Sequence, residues 1–270
     1  MHCFHQKVGW HEHDPLEIWK NTCQCVNEVH DMLADSSKNL EPLKAIGITN
    51  QRETLTAWNA RTGLPYYNAI VWDDLRTTDI AQQIAREAPP VPNTQPSDRL
   101  RARTGLPLAS YFSGTKLRWL IENVSRLRED LQSPTEREHV KFGTIDTWLV
   151  YNMTGSALAV GHVANIGGKH VTDVTNASRW LIMDLNTCQW DKQLIKIVCG
   201  KKSPIVPLSC LPVIRTSSEV YGLCAAGCGM KALEGVPIAS ILGDQQAALF
   251  GQAGYHRGDA KVGSLLFFSC

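Results

Sequence analysis

Net charge is almost missing from this sequence: 27 Lys and Arg stand against 26 Asp and Glu, leaving +1 over 270 residues. That balance excludes a polybasic nucleic-acid or membrane-surface binder, and it excludes an acidic tail. Also absent is any apolar run near the ~18 residues a membrane span requires. The opening stretch MHCFHQKVGW has no apolar leader core, so a cytoplasmic location is the expectation. Nine cysteines occur, but none falls in a CxxC pair. Cys23-Gln-Cys25 is spaced too closely for a thioredoxin-like couple, and Cys224 with Cys228 has no second pair to complete a zinc set. Reduced thiols and no structural metal are expected. His2, His5, His11 and His13 crowd one end and read as locally solvated residues. Nucleotide-binding signatures are missing too: there is no GxxxxGK[ST] loop, no GxGxxG after a first strand, and no HRD or DFG triplet.

Helical patterns alternating with short apolar strands are present, and they predict an α/β fold. Asp14-Pro15-Leu16-Glu17 has the form of a capping box with Pro at the first helical position. Trp19, Cys23, Val26, Val29 and Leu33 then recur at helical spacing, predicting one buried face. Strands are predicted at 43–49, 54–58, 69–72, 178–184 and 236–242. Helices are predicted through Ile80, Ile84 and Ala88, over 114–130, and over 191–199 before Gly200. The helix at 114–130 carries Arg118, Glu122 and Arg126 at i,i+4 spacing. Four prolines within 89–96 mark a surface connector, and a Gly-containing loop is predicted at 161–169. Ala-Arg-Thr-Gly-Leu-Pro occurs at 60–65 and again at 102–107. Without flanking similarity it predicts two turns and no internal repeat.

Polar groups follow several of these strands: Asn50-Gln51-Arg52-Glu53, Trp72-Asp73-Asp74-Leu75-Arg76, Asp146-Thr147-Trp148 and Gly243-Asp244-Gln245-Gln246. Open α/β sheets bind ligands at strand carboxyl ends. Arg52 and Glu53 together offer a guanidinium fork and a carboxylate suited to adjacent hydroxyls of a small polyol. The plainer account of the two is a surface ion pair. Asp244 can accept a hydroxyl proton or hold Mg²⁺, or act simply as a helix N-cap. Trp72 and Tyr111 fit a ligand platform or a core. Composition and spacing reach no further than a soluble α/β protein with a possible small-polyol site.

The same segments carry a resemblance. Gly9-Trp10-His11-Glu12-His13-Asp14-Pro15, Gly47 to Thr54, Asn68 to Arg76, Thr104 to Pro107 and Tyr111 to Leu120 resemble the glycerol kinase family. So do Phe142 to Trp148, Val171 to Arg179 and Gly243 to Gln252, all in the family's order. That family belongs to the sugar kinases, with the actin-like, ribonuclease-H-like ATPase fold. The resemblance implies ATP-dependent phosphorylation of glycerol to sn-glycerol 3-phosphate, with ATP and Mg²⁺ as cofactors. It implies substrate contacts from Arg52, Glu53, Trp72, Tyr111, Asp244 and Gln245, with Asp244 as catalytic base beside the Mg²⁺. Neither nucleic acid nor a membrane is implied as a partner, and homo-oligomerisation is left open.

The family's Asp-x-Gly-Thr phosphate hairpin has no counterpart here, and Val262-Gly263-Ser264 stands where a Thr-Gly-Thr loop is expected. The expectation is therefore a substrate-binding lobe over 1–239 without its first strands, and the start of a second lobe over 240–270. The strand at 43–49 is expected to lack neighbours. The alternatives are a catalytically inactive fragment that binds glycerol at most, and a kinase for a related polyol or sugar.

Overall fold

The computed structural model describes residues 2–5, 7–36, 41–155, 168–200, 204 and 206–261. Most of the predicted loop at 161–169 and the segment from Val262 onward lie outside them. Strand β1 (Glu12–His13) leads into helix α1 (Pro15–Ser36). The Asp14 carboxylate accepts from the Leu16 amide at 2.8 Å, which starts the helix as the sequence predicts. Glu17 accepts from the His2 amide at 3.0 Å. Trp19 is buried, but Val29 and Leu33 are 54% and 48% exposed, contrary to the predicted continuous face. The helix packs on α6 (Ile145–Met153) and on the 3₁₀ turn Lys231–Leu233, and its later turns outrun that support. Val29 and Leu33 line an open apolar groove with Val26, Leu43 and Leu233.

Strands β2 (Ile46–Asn50), β3 (Leu55–Asn59) and β4 (Ala69–Ile70) follow, then helices α2 (Thr78–Glu87) and α3 (Arg101–Thr104). The two copies of the hexapeptide both hold their Gly, Gly63 and Gly105, at φ 73°. The first forms a turn, and the second forms α3 with its left-handed stop.

The predicted helix over 114–130 is two helices, α4 (Ser113–Asn123) and α5 (Ser125–Gln132), broken at Val124 with ψ 98°. The break separates the charges expected to form one ladder. Arg118 bonds Glu122 at 2.8 Å, whereas Arg126 pairs forward with Asp130 at 3.1 Å.

Strand β5 (Val140–Thr144) runs into α6. Next come β6 (Val171–Asp173), α7 (Val174–Ala177), β7 (Met183–Asp184), β8 (Gln189–Trp190) and α8 (Lys192–Cys199). The apolar run 178–184 is mostly not a strand: Trp180, Leu181 and Ile182 are buried loop residues packed against α4 and α8, with Leu181 at φ 63°. Helix α8 begins and ends as predicted, with Asp191 accepting from the Leu194 amide and Gly200 at φ 80°. Strands β9 (Val213–Arg215), β10 (Ser218–Leu223) and β11 (Pro237–Gly243) lead to α9 (Asp244–Gly251).

Two main sheets result. One is antiparallel, in the order β1-β4-β3-β5. The other has the order β10-β11-β2, with β11 parallel to β2, so β2 occupies its edge. Strands β6 and β9 form a small parallel pair, and β7 with β8 an antiparallel one. The largest core joins β3, β5, α2, α4, α5 and α8 through Leu55, Ile84, Leu117, Leu120, Phe142 and Val198. A second core lies between α1, α6 and the β10-β11-β2 sheet around Trp19, Val150, Ile238 and Ile241. The amino-terminal histidines are not uniformly solvated: His13 is buried at 4% exposure and the His11 side chain is 20% exposed. Among the described residues, no helix is long and apolar enough to cross a membrane.

Candidate functional site

Strand pairing decides which distant residues meet. Because β2 and β11 run parallel with Asn50 opposite Gly243, their carboxyl ends lie side by side. Arg52 and Asp244 follow those ends, and Arg52 Nε donates to Asp244 Oδ1 at 2.9 Å. Arg52 is nearly enclosed at 5% side-chain exposure while Asp244 is 54% exposed. Gly243 makes the approach possible, since a Cβ there would stand 2.3 Å from Arg52 Cδ.

Residues 51–54 then cross to the other sheet. Leu55 at the start of β3 lies opposite both Ile70 in β4 and Thr144 in β5. The Trp72 amide donates to Thr54 Oγ1 at 3.2 Å, bringing Trp72 to the same place. Its ring meets Tyr111 edge-on, with centroids 5.7 Å apart.

Glu53 adopts φ 63°, a left-handed conformation uncommon for such a side chain, held by Ser113 Oγ donating to its carbonyl at 3.0 Å. Its carboxylate is buried at 2% exposure and pairs with Arg179 Nε at 2.5 Å. Burial pushes the Glu53 carboxyl above its ordinary range, and the Arg179 bond partly offsets this. The Arg179 guanidinium also lies over Phe112 at 4.9 Å and over Tyr111 at 5.7 Å. The Tyr111 phenol is pushed up by burial, with the Glu53 charge adding to the shift.

Arg52 and Glu53 therefore do not form the surface pair that is their plainer reading; each is buried with a distant partner. Nor is Asp244 an N-cap. Gly243 holds that position, and Asp244 Oδ1 accepts from the next amide, Gln245 N, at 2.9 Å. Gln245 is exposed beside it. Arg52, Glu53, Trp72, Tyr111, Asp244 and Gln245 thus belong to one neighbourhood. Asp146 does not share their role: it is wholly buried and accepts from Thr144 Oγ1 at 2.5 Å and Thr172 Oγ1 at 2.6 Å. Burial raises its carboxyl to about 7.

Arg179 and Lys116 had no separate role in the sequence reading. Lys116 is fully buried behind Tyr111, its Nζ donating to the Ser110 carbonyl at 2.9 Å and the Tyr111 carbonyl at 2.6 Å. Desolvation lowers its pKa to about 7; a neutral amine still has the two protons these carbonyls require. Two amides supply a base for the site: Asn50 and Asn176 exchange side-chain bonds of 3.0 and 3.2 Å, and Thr175 Oγ1 accepts from the Gly243 amide at 2.7 Å.

The chain as a whole has close counterparts among known proteins. The chain is 46% identical over 255 residues to a glycerol kinase of Brucella anthropi, covering 94% of this chain and 45% of that protein. It is 45% identical over 267 residues to a glycerol kinase of Clavibacter michiganensis, covering 97% and 47%. The chain spans about half the length of the curated relatives it matches.

The crystal structure of Plasmodium falciparum glycerol kinase with ADP superposes with a TM-score of 0.79 at 35% identity, over 93% of this chain and 44% of that one. A xylulose kinase from Rhodospirillum rubrum, at 20% identity and TM-score 0.72 over 95% and 45%, shares the fold. Residues 2–251 match the profile of the FGGY family of carbohydrate kinases, N-terminal domain, and the chain belongs to that family.

Proposed function

We propose that this chain is the substrate-binding part of an ATP-dependent glycerol kinase, acting in the cytoplasm, that forms sn-glycerol 3-phosphate. In this reading residues 1–239 belong to the substrate lobe and 240–270 begin the second lobe. The observation that carries it is the Arg52–Asp244 pair at the joined ends of β2 and β11, with Glu53, Trp72 and Tyr111 around it. Arg52 and Glu53 hold adjacent hydroxyls, Tyr111 and Gln245 hold further polar edges, and the Trp72 ring covers the carbon chain. A buried group built to bond a hydroxyl discriminates strongly against an analogue lacking it, because that group is then left unpaired.

Asp244 receives the proton of the attacking hydroxyl. Only its Oδ1 is engaged in the bonds described, and the side chain is half exposed. A carboxylate of that kind fits Mg²⁺, which takes one or two carboxylates together with waters and substrate phosphates. Asp244 is therefore the residue that would lie by the ion. Bound MgATP supplies the phosphoryl group and the positive charge that offsets its negative oxygens.

A second reading is glycerol binding without turnover, because the groups proposed to meet the hydroxyls, Arg52, Glu53 and Asp244, are already assembled within the described residues. Two measurements on the same preparation separate them: calorimetric titration with glycerol, and glycerol-dependent ATP consumption. Binding with turnover, lost in Asp244→Asn, supports the kinase; binding alone supports the fragment. Turnover on xylulose or gluconate in preference to glycerol would overturn the substrate assignment.

A further inference from the structure

Antiparallel pairing of Phe4 with Glu12 makes the amino-terminal segment a short ribbon, with Phe4 N to Glu12 O at 3.0 Å and Glu12 N to Phe4 O at 3.1 Å. In that register Cys3 stands opposite His13 and His5 opposite His11. Alternation along a strand then puts these four side chains on one face and Glu12 on the other. Glu12 faces Tyr67, Asn68 and Arg76, an arrangement complete in itself. The Cys–His face has no such completion. One donor atom each from Cys3, His11 and His13 lie within 4.8 Å of one another. Cys3 Sγ is 3.5 Å from His13 Nε2. His11 Nε2 is buried without a hydrogen-bond partner, an expensive state for a ring nitrogen.

We propose that Cys3, His11 and His13 form a binding site for a divalent cation of the Zn²⁺ class. The donors suit it: one thiolate and two imidazoles are borderline-soft ligands, and three protein ligands leave the fourth tetrahedral position to water. Donor separations in such a site are about 3.5 Å, so the set closes by about an ångström around the ion. The exposed Cys3 arm can make that movement without disturbing the core.

The surrounding bonds orient the ligands. His11 Nδ1 donates to Asp73 Oδ1 at 2.7 Å, which leaves the lone pair on Nε2 for the cation, the usual carboxylate–histidine–metal arrangement. His13 Nδ1 lies 3.3 Å from the Gln51 amide. The atom in contact is the Gln51 amide nitrogen, a donor, so ligation through His13 Nε2 requires the Gln51 amide to turn over and offer its oxygen to an Nδ1 proton. His5 stacks on His11 with centroids 4.7 Å apart and walls the site, while His2 is engaged with Glu17 and stands outside it. Ligation takes Cys3 as the thiolate, so its proton is released to solvent on binding.

Co²⁺ added to the metal-free chain under reducing conditions tests the site, because its spectrum reports both geometry and sulfur ligation. One equivalent is expected to give tetrahedral visible bands and a thiolate charge-transfer band, both displaced by Zn²⁺. Cys3→Ser, at an exposed position, removes the charge-transfer band, and His11→Ala removes the visible bands. Asp73→Asn weakens Co²⁺ binding by roughly 10–100-fold while leaving the charge-transfer band in place at saturation. A charge-transfer band that survives Cys3→Ser would assign the metal to other thiols and overturn the proposal. Absence of any tetrahedral spectrum from the folded chain would overturn it equally.

Discussion

Two arginines on neighbouring sheets show what this fold holds fixed and what it leaves open. Arg76 is 1% exposed and lies between two buried carboxylates. Its Nε and Nη2 donate to Asp74 at 2.9 and 2.7 Å, and Nη1 makes a charge contact with Glu12 at 2.7 Å. Trp10 and Trp119 cover the guanidinium at 3.8 and 4.7 Å. Arg52 is almost as enclosed, but its partner Asp244 is half exposed and is met through Nε. Arg76 spends its bonding capacity on architecture. Arg52 meets a half-exposed carboxylate through Nε, the arrangement that the proposed hydroxyl-bearing ligand would use.

Removing the closed arginine should have the largest effect. Arg76→Ala leaves Glu12 and Asp74 buried without their cation, and breaking such a pair costs about 3–5 kcal/mol. Equilibrium denaturation is expected to show that loss, with a collapse of the β1–β4 contact that Glu12 and its neighbours make. A loss near 1 kcal/mol would mean that water enters and that the two arginines differ less than their exposure indicates.

Asp146 offers a pH test of another closed polar group. Its carboxyl titrates at about 7 in the folded chain against 3.8 ordinarily, chiefly through desolvation. The folded state therefore holds this proton over a range where the unfolded chain has released it. The stability it contributes is complete below about pH 4 and is lost as pH rises towards 7. Melting temperatures measured across that window should fall for the parent chain relative to Asp146→Asn. Parallel curves would show that the carboxylate is ionised in place, with Thr144 and Thr172 as sufficient donors.

Gly243→Ala probes the open site through its frame. The new Cβ would stand 2.3 Å from Arg52 Cδ. Arg52 must shift, and overpacking of this kind costs about 1–3 kcal/mol. Glycerol binding is expected to weaken more than stability falls. Unchanged affinity would detach Arg52 from the ligand.

Local chemistry made part of this structure legible in the sequence. Asp14-Pro15, Asp191 and Gly200 state helix ends through groups that act within a few residues, and all three positions hold. Short apolar runs located β2 and β11, and the continuation of the first located β3. Two features failed because tertiary packing overrode local pattern. Val124 breaks a helix that no Gly or Pro interrupts, and the apolar run Trp180-Leu181-Ile182 is buried as loop against helices. Val29 and Leu33 repeat the core spacing of α1 without a core to meet. Within the site, Arg52 and Asp244 were individually recognisable but are 192 positions apart; only parallel pairing of β2 with β11 joins them. Arg179 carried no local signal, since its meaning lies in a carboxylate 126 residues earlier.

The smallest effect on stability should come from removing the open arginine. In Arg52→Ala, Asp244 is left without its guanidinium, but at 54% exposure water can replace the bond. What is lost is chiefly packing of the enclosed stem, about 1–2 kcal/mol, well below the cost at Arg76. Glycerol binding should nevertheless disappear, because two hydroxyl-directed donors leave with the side chain. Arg52→Lys sharpens the comparison: it keeps the charge near Asp244 but not the fork, so stability should recover while affinity stays low. If lysine restores glycerol affinity, charge near Asp244 is the determinant. Held donor geometry, the property that separates Arg52 from Arg76, would then have no bearing on the ligand.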